Sequence, residues 1–315
     1  MLLTTVMLTS CLEVHRGPKP PIRIALSTWP GYAHAFIARD KGFFKQNDVQ
    51  VELVLTKEYD ESSDLYRSGE VDGIFEVFTD SIFHNSQGVP TKVVYVTDYS
   101  NKGDVVIAAP GVNSFQDLNG KYVGIDAVNS FSHLFVLSVM LKAGLKEEDL
   151  RFKAVPAQQV PEAIDQGIIA AGHTWEPARS RALKIGHKII AKAGDVPGVI
   201  TDVLSFNVRI TEKRPDDVKA IIRALFQAKE YIDKNEDECV AIMAKAEDMS
   251  SEEMKAGLDD IKQPDREQNK LIMSKSDNPN NLFDVGLTIY NFYGHRGRYF
   301  SEKDLNDVID PSFLE

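Results

Sequence analysis

Residues 22–55 read IRIALSTWPGYAHAFIARDKGFFKQNDVQVELVL, and this stretch decides the fold class. The apolar run 22–26 predicts a short strand, and a loop rich in Pro and Gly follows it. Residues 33–41 have helical spacing and stop at Gly42. Residues 49–55 alternate between apolar and polar side chains, as a strand does. A strand, a helix and a strand in this order indicate an α/β unit.

The same alternation continues along the chain to about residue 210. A first block predicts further strands at 71–75, 93–96 and 105–109, with helices over 62–68 and 78–87. A second block predicts strands at 122–125, 152–155, 168–171, 188–191 and 203–208, with helices over 130–143, 160–166 and 177–184. From residue 215 the pattern is mostly helical. We expect parallel sheets covered on both faces, in two lobes that enclose a crevice at the strand ends.

The expected domain organisation follows from these blocks. Residues 1–21 are a signal segment and tether, residues 22–105 and 206–315 form lobe 1, and residues 106–205 form lobe 2. The helical tail is expected to pack back on lobe 1.

Composition excludes several classes of protein. The 315 residues carry a formal charge of −11, which argues against a nucleic-acid binder and against electrostatic docking on anionic lipid. Only two Cys occur, so a disulfide framework and a Cys-rich zinc site are excluded. We expect no metal and no cofactor. Cys239 has the spacing of a core residue in a helix.

The amino terminus has the chemistry of an export signal. An apolar run, MLLTTVMLTS, ends directly at Cys11, and a polar, Pro-rich stretch follows it. The segment Leu8-Thr9-Ser10-Cys11 resembles a bacterial lipobox, in which the Cys becomes lipid-modified. No Lys or Arg precedes the run, and the run is short. The alternatives are an upstream start and an unprocessed terminus. A lipidated Cys11 would hold the protein by a lipid anchor on the outer face of the cell membrane.

The candidate binding residues lie where predicted strands end. No catalytic motif stands out, so we expect a binding protein and no enzyme. The candidates are aromatic or polar side chains at strand ends or helix starts: Trp29, Tyr32, Glu76, Ser130, Ser132, His133, Trp175, Glu176 and Asp202. A Trp in such a loop can stack on a ligand or seal the loop against the core.

The polar candidates indicate two kinds of ligand group. Ser130, Ser132 and His133 open a predicted helix, whose free N–H groups and partial positive charge favour an anion, although Ser130 is also a preferred cap. Glu76, Glu176 and Asp202 favour a cationic or donor-rich group. Together they suggest a zwitterion such as an aminosulfonate, or a pyrimidine with exocyclic amines. Nitrate fits poorly, because carboxylates would repel it.

Several motifs together resemble one family of solute-binding proteins, which bind nitrate, sulfonates, taurine and thiamine precursors. The matching segments occur in the family's order over residues 22–232: STWPGY at 27–32, ARDKGFF at 38–44, SGEVDG at 68–73, DLNGKYVG at 117–124, KAGL at 142–145, WEP at 175–177 and RPDDVKA at 214–220. The resemblance covers most of the chain. The chain also resembles the wider superfamily to which these proteins belong, that of the thiamine-pyrimidine synthases.

The resemblance implies a type II periplasmic-binding-protein fold with a hinge, and delivery of a small solute to the permease of an ABC importer. It implies that the loop Ser130–His133 holds an anionic group, that Asp202 lies near a ligand amine, and that Trp175 is a pocket wall. The Cys-rich motif of the yeast-type pyrimidine-forming enzymes is missing. The expected protein is a lipid-anchored monomer with no nucleic-acid partner. The alternatives are an enzyme of pyrimidine or menaquinone-related metabolism and a sensory ligand-binding protein.

Overall fold

A computed structural model describes residues 19–278, 281–294, 296 and 302–314. Cys11 lies outside these residues, so its lipidation stays a prediction. The described strands are β1 Ile22–Ser27, β2 Val51–Thr56, β3 Gly73–Val77, β4 Thr91–Ser100, β5 Val105–Ala108, β6 Tyr122–Ile125, β7 Arg151–Ala154, β8 Ala171–Thr174, β9 Lys188–Lys192, β10 Thr201–Asn207 and β11 Ile261–Lys262.

Helices cover both sheets that these strands form. They are α1 His34–Asp40, α2 Phe43–Gln46, α3 Tyr59–Ser68, α4 Phe78–Ser86, α5 Phe131–Lys142, α6 Val160–Asp165, α7 Ala178–Lys184, α8 Val208–Lys213, α9 Pro215–Ile232, α10 Glu236–Ala246, α11 Ser251–Asp259, α12 Arg266–Ile272, α13 Leu282–Gly294 and α14 Glu302–Val308. Within the described part of the chain, no helix combines the length and the apolar character that a bilayer crossing needs.

The first sheet has the strand order β11-β4-β10-β3-β1-β2, and the second has the order β7-β6-β8-β5-β9. We call the layers around them lobe 1 and lobe 2. The chain passes from lobe 1 to lobe 2 between β4 and β5, and it returns between β9 and β10. Long α9 packs against α1 and α2 of lobe 1, as expected for the helical tail.

This two-lobed α/β architecture confirms the predicted fold class. The exact lobe boundaries stay a prediction, although β10, from Thr201, already belongs to the first sheet.

Both sheets are mixed, which corrects the expectation of parallel sheets. β1 is parallel to β2 and β3, but β10 is antiparallel to β3 and β4. Likewise β6 is parallel to β7 and β8, whereas β5 is antiparallel to β8 and β9. The reason is the crossing between lobes. A strand that enters a sheet from the edge where the other strands end must run opposite to them, and β5 and β10 both enter in this way.

One strand is displaced from its predicted position. The sequence predicted a strand at 168–171, but β8 is Ala171–Thr174 and all four of its residues are buried. Gly167 has a φ of 69°, a left-handed conformation that suits glycine and turns the chain out of α6. Ile168 in this turn is 38% exposed, whereas Ile169 packs in the core of lobe 2. The apolar residues of the turn therefore imitate the start of a strand.

Candidate functional site

A small cavity lies between the lobes, at the ends of the strands of both sheets. Lobe 1 lines it with residues after β1, at the start of α3, at the end of β3 and in β10, and lobe 2 lines it with residues before β5, at the start of α5 and after β8. The lining residues are Ser27, Trp29, Tyr32, Tyr59, Val77, Asp104, Phe131, Trp175, Ile200 and Asp202. Its volume is about 10 Å³, which is room for about one water molecule. A larger ligand therefore requires the lobes to move apart.

Aromatic residues from both lobes make up half of the lining. The indole N–H of Trp175 donates to the carbonyl oxygen of Thr28 across the cleft, at 3.3 Å. The ring of Phe131 lies 6.1 Å from that of Trp175 and 4.9 Å from that of Tyr59, between centroids. Because Tyr59 belongs to lobe 1 and Phe131 to lobe 2, these rings close the cavity only when the lobes are together.

Two buried aspartates supply the carboxyl groups of the cavity. Asp202 accepts a hydrogen bond from the hydroxyl of Tyr32 through Oδ1, at 2.5 Å, and no backbone N–H or hydroxyl of the described residues donates to its Oδ2. Its carboxyl group lies close enough to that of Asp98 for the two to hydrogen-bond to each other. Asp104 is bonded through Oδ1 to Nε2 of His173, at 2.9 Å, and its Oδ2 likewise has no donor among the described residues. Each residue is 2% exposed. Burial raises the pKa of Asp202 well above its ordinary value, and the nearby charge of Asp98 raises it further.

A third aspartate supports the Trp29 loop from behind. The indole N–H of Trp29 donates to the carboxylate of Asp98, 3.3 Å from each oxygen. Burial raises the pKa of Asp98 to about 7, and the Trp29 hydrogen bond opposes that rise. The hydrogen bond therefore fixes the orientation of the Trp29 ring at the cavity.

A second cavity of about 340 Å³ shares Tyr59 and Phe131 with the first. Its lining includes four aspartates, Asp60, Asp64, Asp80 and Asp126, and also Arg67. Burial raises the pKa of Asp80 to about 7 and that of Asp126 well above its ordinary value. Ser130 also lines this second cavity. We call it the outer chamber, and the first cavity the inner cavity.

Of the nine predicted binding residues, Trp29, Tyr32, Trp175 and Asp202 line the inner cavity. The other five do not, and protein groups contact each of them. Ser130 caps α5 by accepting from the His133 N–H. The buried imidazole of His133 accepts from the Asn129 N–H through Nδ1. The predicted anion cradle is therefore occupied by the protein's own capping groups, and its part in ligand binding stays a prediction.

The remaining three residues also have partners inside the protein. Glu76 accepts from the hydroxyl of Ser81, at 2.6 Å, and lies 3.0 Å from His84. Glu176 is paired with Arg179. The hydroxyl of Ser132 lies 2.8 Å from Nδ1 of His173 and accepts from the Asp126 N–H. Of these three, only Ser132 acts on the inner cavity, through the chain Ser132–His173–Asp104.

Sequence reasoning missed Asp104, Tyr59 and Phe131. Asp104 is in the link between β4 and β5, where an aspartate is an ordinary loop residue, and Tyr59 opens a helix whose visible pattern began three residues later. Their role appears only when the two lobes are placed together. A signal was present for Phe131, because it lies between the predicted residues Ser130 and Ser132.

A substitution at Gly31 tests whether the hydrogen bond between Trp29 and Asp98 holds the Trp29 loop in place. A Cβ at residue 31 would lie 2.0 Å from Oδ2 of Asp98 and 2.5 Å from Nε1 of Trp29. We expect Gly31→Ala to break the hydrogen bond between them and to lower the free energy of unfolding by about 1–3 kcal/mol, as overpacking does. Urea denaturation measures this change in the free energy of unfolding. Gly294→Ala is the control, since no atom lies within 4 Å of its added Cβ. Equal stability of the two variants would contradict this account of the loop.

Comparison with known proteins places the chain among relatives of two kinds. Residues 29–239 match the family model described as NMT1/THI5 like. The 4-amino-5-hydroxymethyl-2-methylpyrimidine phosphate synthase of Legionella pneumophila is 20% identical over 226 residues, which are 70% of this chain and 71% of that protein. A synthase of the same name from Saccharomyces cerevisiae is 24% identical over 64% of each chain. The chain thus spans just under two thirds of the yeast relative.

Solved structures similar to this chain include several solute-binding proteins and one enzyme, the desulfurization enzyme DSZB, with a TM-score of 0.67 at 12% identity over 93% of this chain and 97% of that one. The ligand-binding component of an ABC-type import system from Staphylococcus aureus has a TM-score of 0.77 at 16% identity, over 94% of this chain and 98% of that one. The periplasmic aliphatic sulphonate binding protein of Escherichia coli has a TM-score of 0.72 at 18% identity, over 94% and 99%. The periplasmic nitrate-binding protein of Synechocystis has 0.75 at 12%, over 93% and 86%. These likenesses show a periplasmic-binding-protein fold, and the match to the family model shows that the chain belongs to the NMT1/THI5-like family.

Proposed function

We propose that the protein is the solute-binding component of an ABC importer and that it holds a small polar solute in the inner cavity. The observation that carries this proposal is the lining itself. Two tryptophans, one from each lobe, and two buried aspartates surround one small space. A ligand that contacts both lobes favours the closed arrangement by those contacts alone. Solute classes that suit aromatic walls and carboxylates are pyrimidines with exocyclic amines and aminosulfonates.

We also propose the oligomeric state, the location and the partner of the protein. The protein acts as a monomer, lies on the outer face of the cell membrane through a lipid on Cys11, and passes its solute to a membrane permease. Because β5 lies in the second sheet and β10 in the first, the proposed lobe 1 comprises residues 22–104 and the chain from residue 201 onward, and lobe 2 comprises residues 105–200. Radiolabelled fatty acid tests the anchor: label on the wild type and none on Cys11→Ser supports it, and an unlabelled wild type opposes it.

Thermal stability in the presence of candidate solutes tests the binding function. A solute that binds only the native protein raises the free energy of unfolding, by about 2.7 kcal/mol at a solute concentration of 100 Kd, and therefore raises the Tm. We expect at least one member of a panel of aminopyrimidines, amines, aminosulfonates and sulfonates to raise the Tm in a concentration-dependent way. No shift with any member, together with no small molecule retained by the purified native protein, would oppose a binding function.

An enzymatic function is the second candidate, because the curated relatives are named as pyrimidine phosphate synthases. The inner cavity then would hold a substrate instead of a transported solute. Incubation of the protein with the solute it retains separates the two functions. Recovery of that solute unchanged supports binding for import, whereas its conversion to a new compound supports the synthase-like function.

A further inference from the structure

The inner cavity has two carboxyl oxygens to which no backbone N–H, hydroxyl or cationic side chain of the described residues donates. They are Oδ2 of Asp104 and Oδ2 of Asp202, and each side chain is almost fully buried. The neighbour of Asp202 is a second carboxyl group, that of Asp98, which repels it when both are ionised. A buried carboxylate oxygen without a hydrogen bond is costly, and native proteins rarely keep one without a reason. Both residues line the same small space. A ligand that donates hydrogen bonds to both oxygens would remove this cost.

The chain Ser132–His173–Asp104 fixes one of these acceptors in place. A carboxylate only accepts, so Nε2 of His173 donates to Oδ1 of Asp104, and Nδ1 of the same ring is hydrogen-bonded to the Ser132 hydroxyl, at 2.8 Å. His173 and Ser132 are fully buried. With Oδ1 held in this way, Oδ2 of Asp104 is the oxygen left for a ligand.

The surroundings favour a positive charge at this place. Among the described residues, those that line the inner cavity include no Lys, Arg or His. The faces of Trp29 and Trp175 carry the negative side of the ring quadrupole, which attracts cations. The outer chamber, which shares Tyr59 and Phe131 with the inner cavity, has Asp60 and Asp64 as exposed carboxylates, and negative charge beside a cavity favours cations over anions.

From this geometry we infer that the solute is a small organic cation with at least two N–H donors, such as a protonated amine or an amidinium. Its N–H groups bond to Oδ2 of Asp104 and Oδ2 of Asp202, and its body lies between Trp29 and Trp175. The inference rests on the proposed binding function and narrows it. Sulfonates and other anions are excluded from this cavity.

Matched probes test the charge of the ligand. Benzamidine and benzenesulfonate share one ring but carry opposite charges, and 1,3-diaminopropane and propane-1-sulfonate do the same on a three-carbon chain. We expect the two cations to raise the Tm of the wild type and the two sulfonates to leave it unchanged. A rise with the sulfonates, or none with either cation, overturns the inference. The proposed binding function fails separately, only when the native protein also retains no small molecule.

Charge-neutral variants test the two oxygens. Asp104→Asn and Asp202→Asn keep an acceptor for His173 and Tyr32 but lose the negative charge. We expect each to weaken the affinity for the better cationic probe about tenfold or more, since hydrogen bonds to charged groups are the strong ones. Asp216→Asn makes the same charge change on an exposed side chain in the first turn of α9, which lines neither cavity, and it should alter the affinity by less than about twofold. Equal affinity in all three variants, each folded by circular dichroism, overturns the assignment.

Discussion

Replacing Arg179 by alanine is expected to lower the free energy of unfolding by about 3–5 kcal/mol, because it breaks a buried ion-pair network. The guanidinium of Arg179 is 7% exposed and lies 2.7 Å from Glu176 and 2.5 Å from Asp260. It also donates to the carbonyl oxygen of Lys102, at 2.7 Å. Glu176 belongs to lobe 2, whereas Asp260 lies beside β11 of lobe 1 and Lys102 lies in the crossing. The variant would leave Glu176 buried without its counter-ion.

The midpoint of urea denaturation, followed by circular dichroism, measures this effect. Lys184→Ala is the control, since it removes an exposed cation from the same helix and should shift the midpoint little. Similar midpoints for Arg179→Ala and the control would show that the network contributes nothing to stability. A measured loss that disappears in the double variant Arg179→Ala with Glu176→Gln would assign the cost to the uncompensated charge of Glu176.

Replacing Trp175 by alanine is expected to weaken solute binding by about 2 kcal/mol, or roughly thirtyfold, as loss of a buried aromatic anchor does. The indole is 6% exposed, lines the inner cavity and reaches across to lobe 1 through its hydrogen bond to Thr28. Its loss therefore removes a wall of the cavity and a contact that holds the lobes together. Isothermal titration with the solute recovered from the native protein measures the affinity.

Trp175→Phe separates these two contributions. Phenylalanine keeps a flat wall but cannot donate to the Thr28 carbonyl, so we expect its affinity to lie between those of the wild type and the alanine variant. Unchanged affinity in a well-folded Trp175→Ala would make Trp175 a core residue that seals the loop and contacts no solute.

The sequence predicted much of the fold, because alternating apolar runs and helical faces are local patterns. Local signals failed where the arrangement of the lobes decided the outcome. The reversed directions of β5 and β10 follow from the crossing between lobes, which no strand pattern encodes. The displaced strand β8 reflects an apolar turn at Ile168 and Ile169 that resembles a strand.

In the candidate site, too, local patterns predicted some residues, whereas the role of others depends on how the two lobes meet. Trp29, Tyr32, Trp175 and Asp202 were identified because they lie beside the ends of predicted strands, where ligands bind in α/β folds. The sequence could not tell whether a serine hydroxyl binds a ligand or caps its own helix, and the structure shows Ser130 capping α5. Asp104 was invisible because burial of a loop aspartate depends on a second lobe that covers it.

Tryptophan fluorescence tests the central claim most directly, because the chain has two tryptophans and both line the inner cavity. The solute released from the native protein by denaturation is added back to refolded, solute-free protein while the emission is recorded. We predict an emission change that saturates at one solute per chain and is reduced in Trp175→Phe. Binding at that stoichiometry with unchanged emission would place the solute elsewhere and contradict the account.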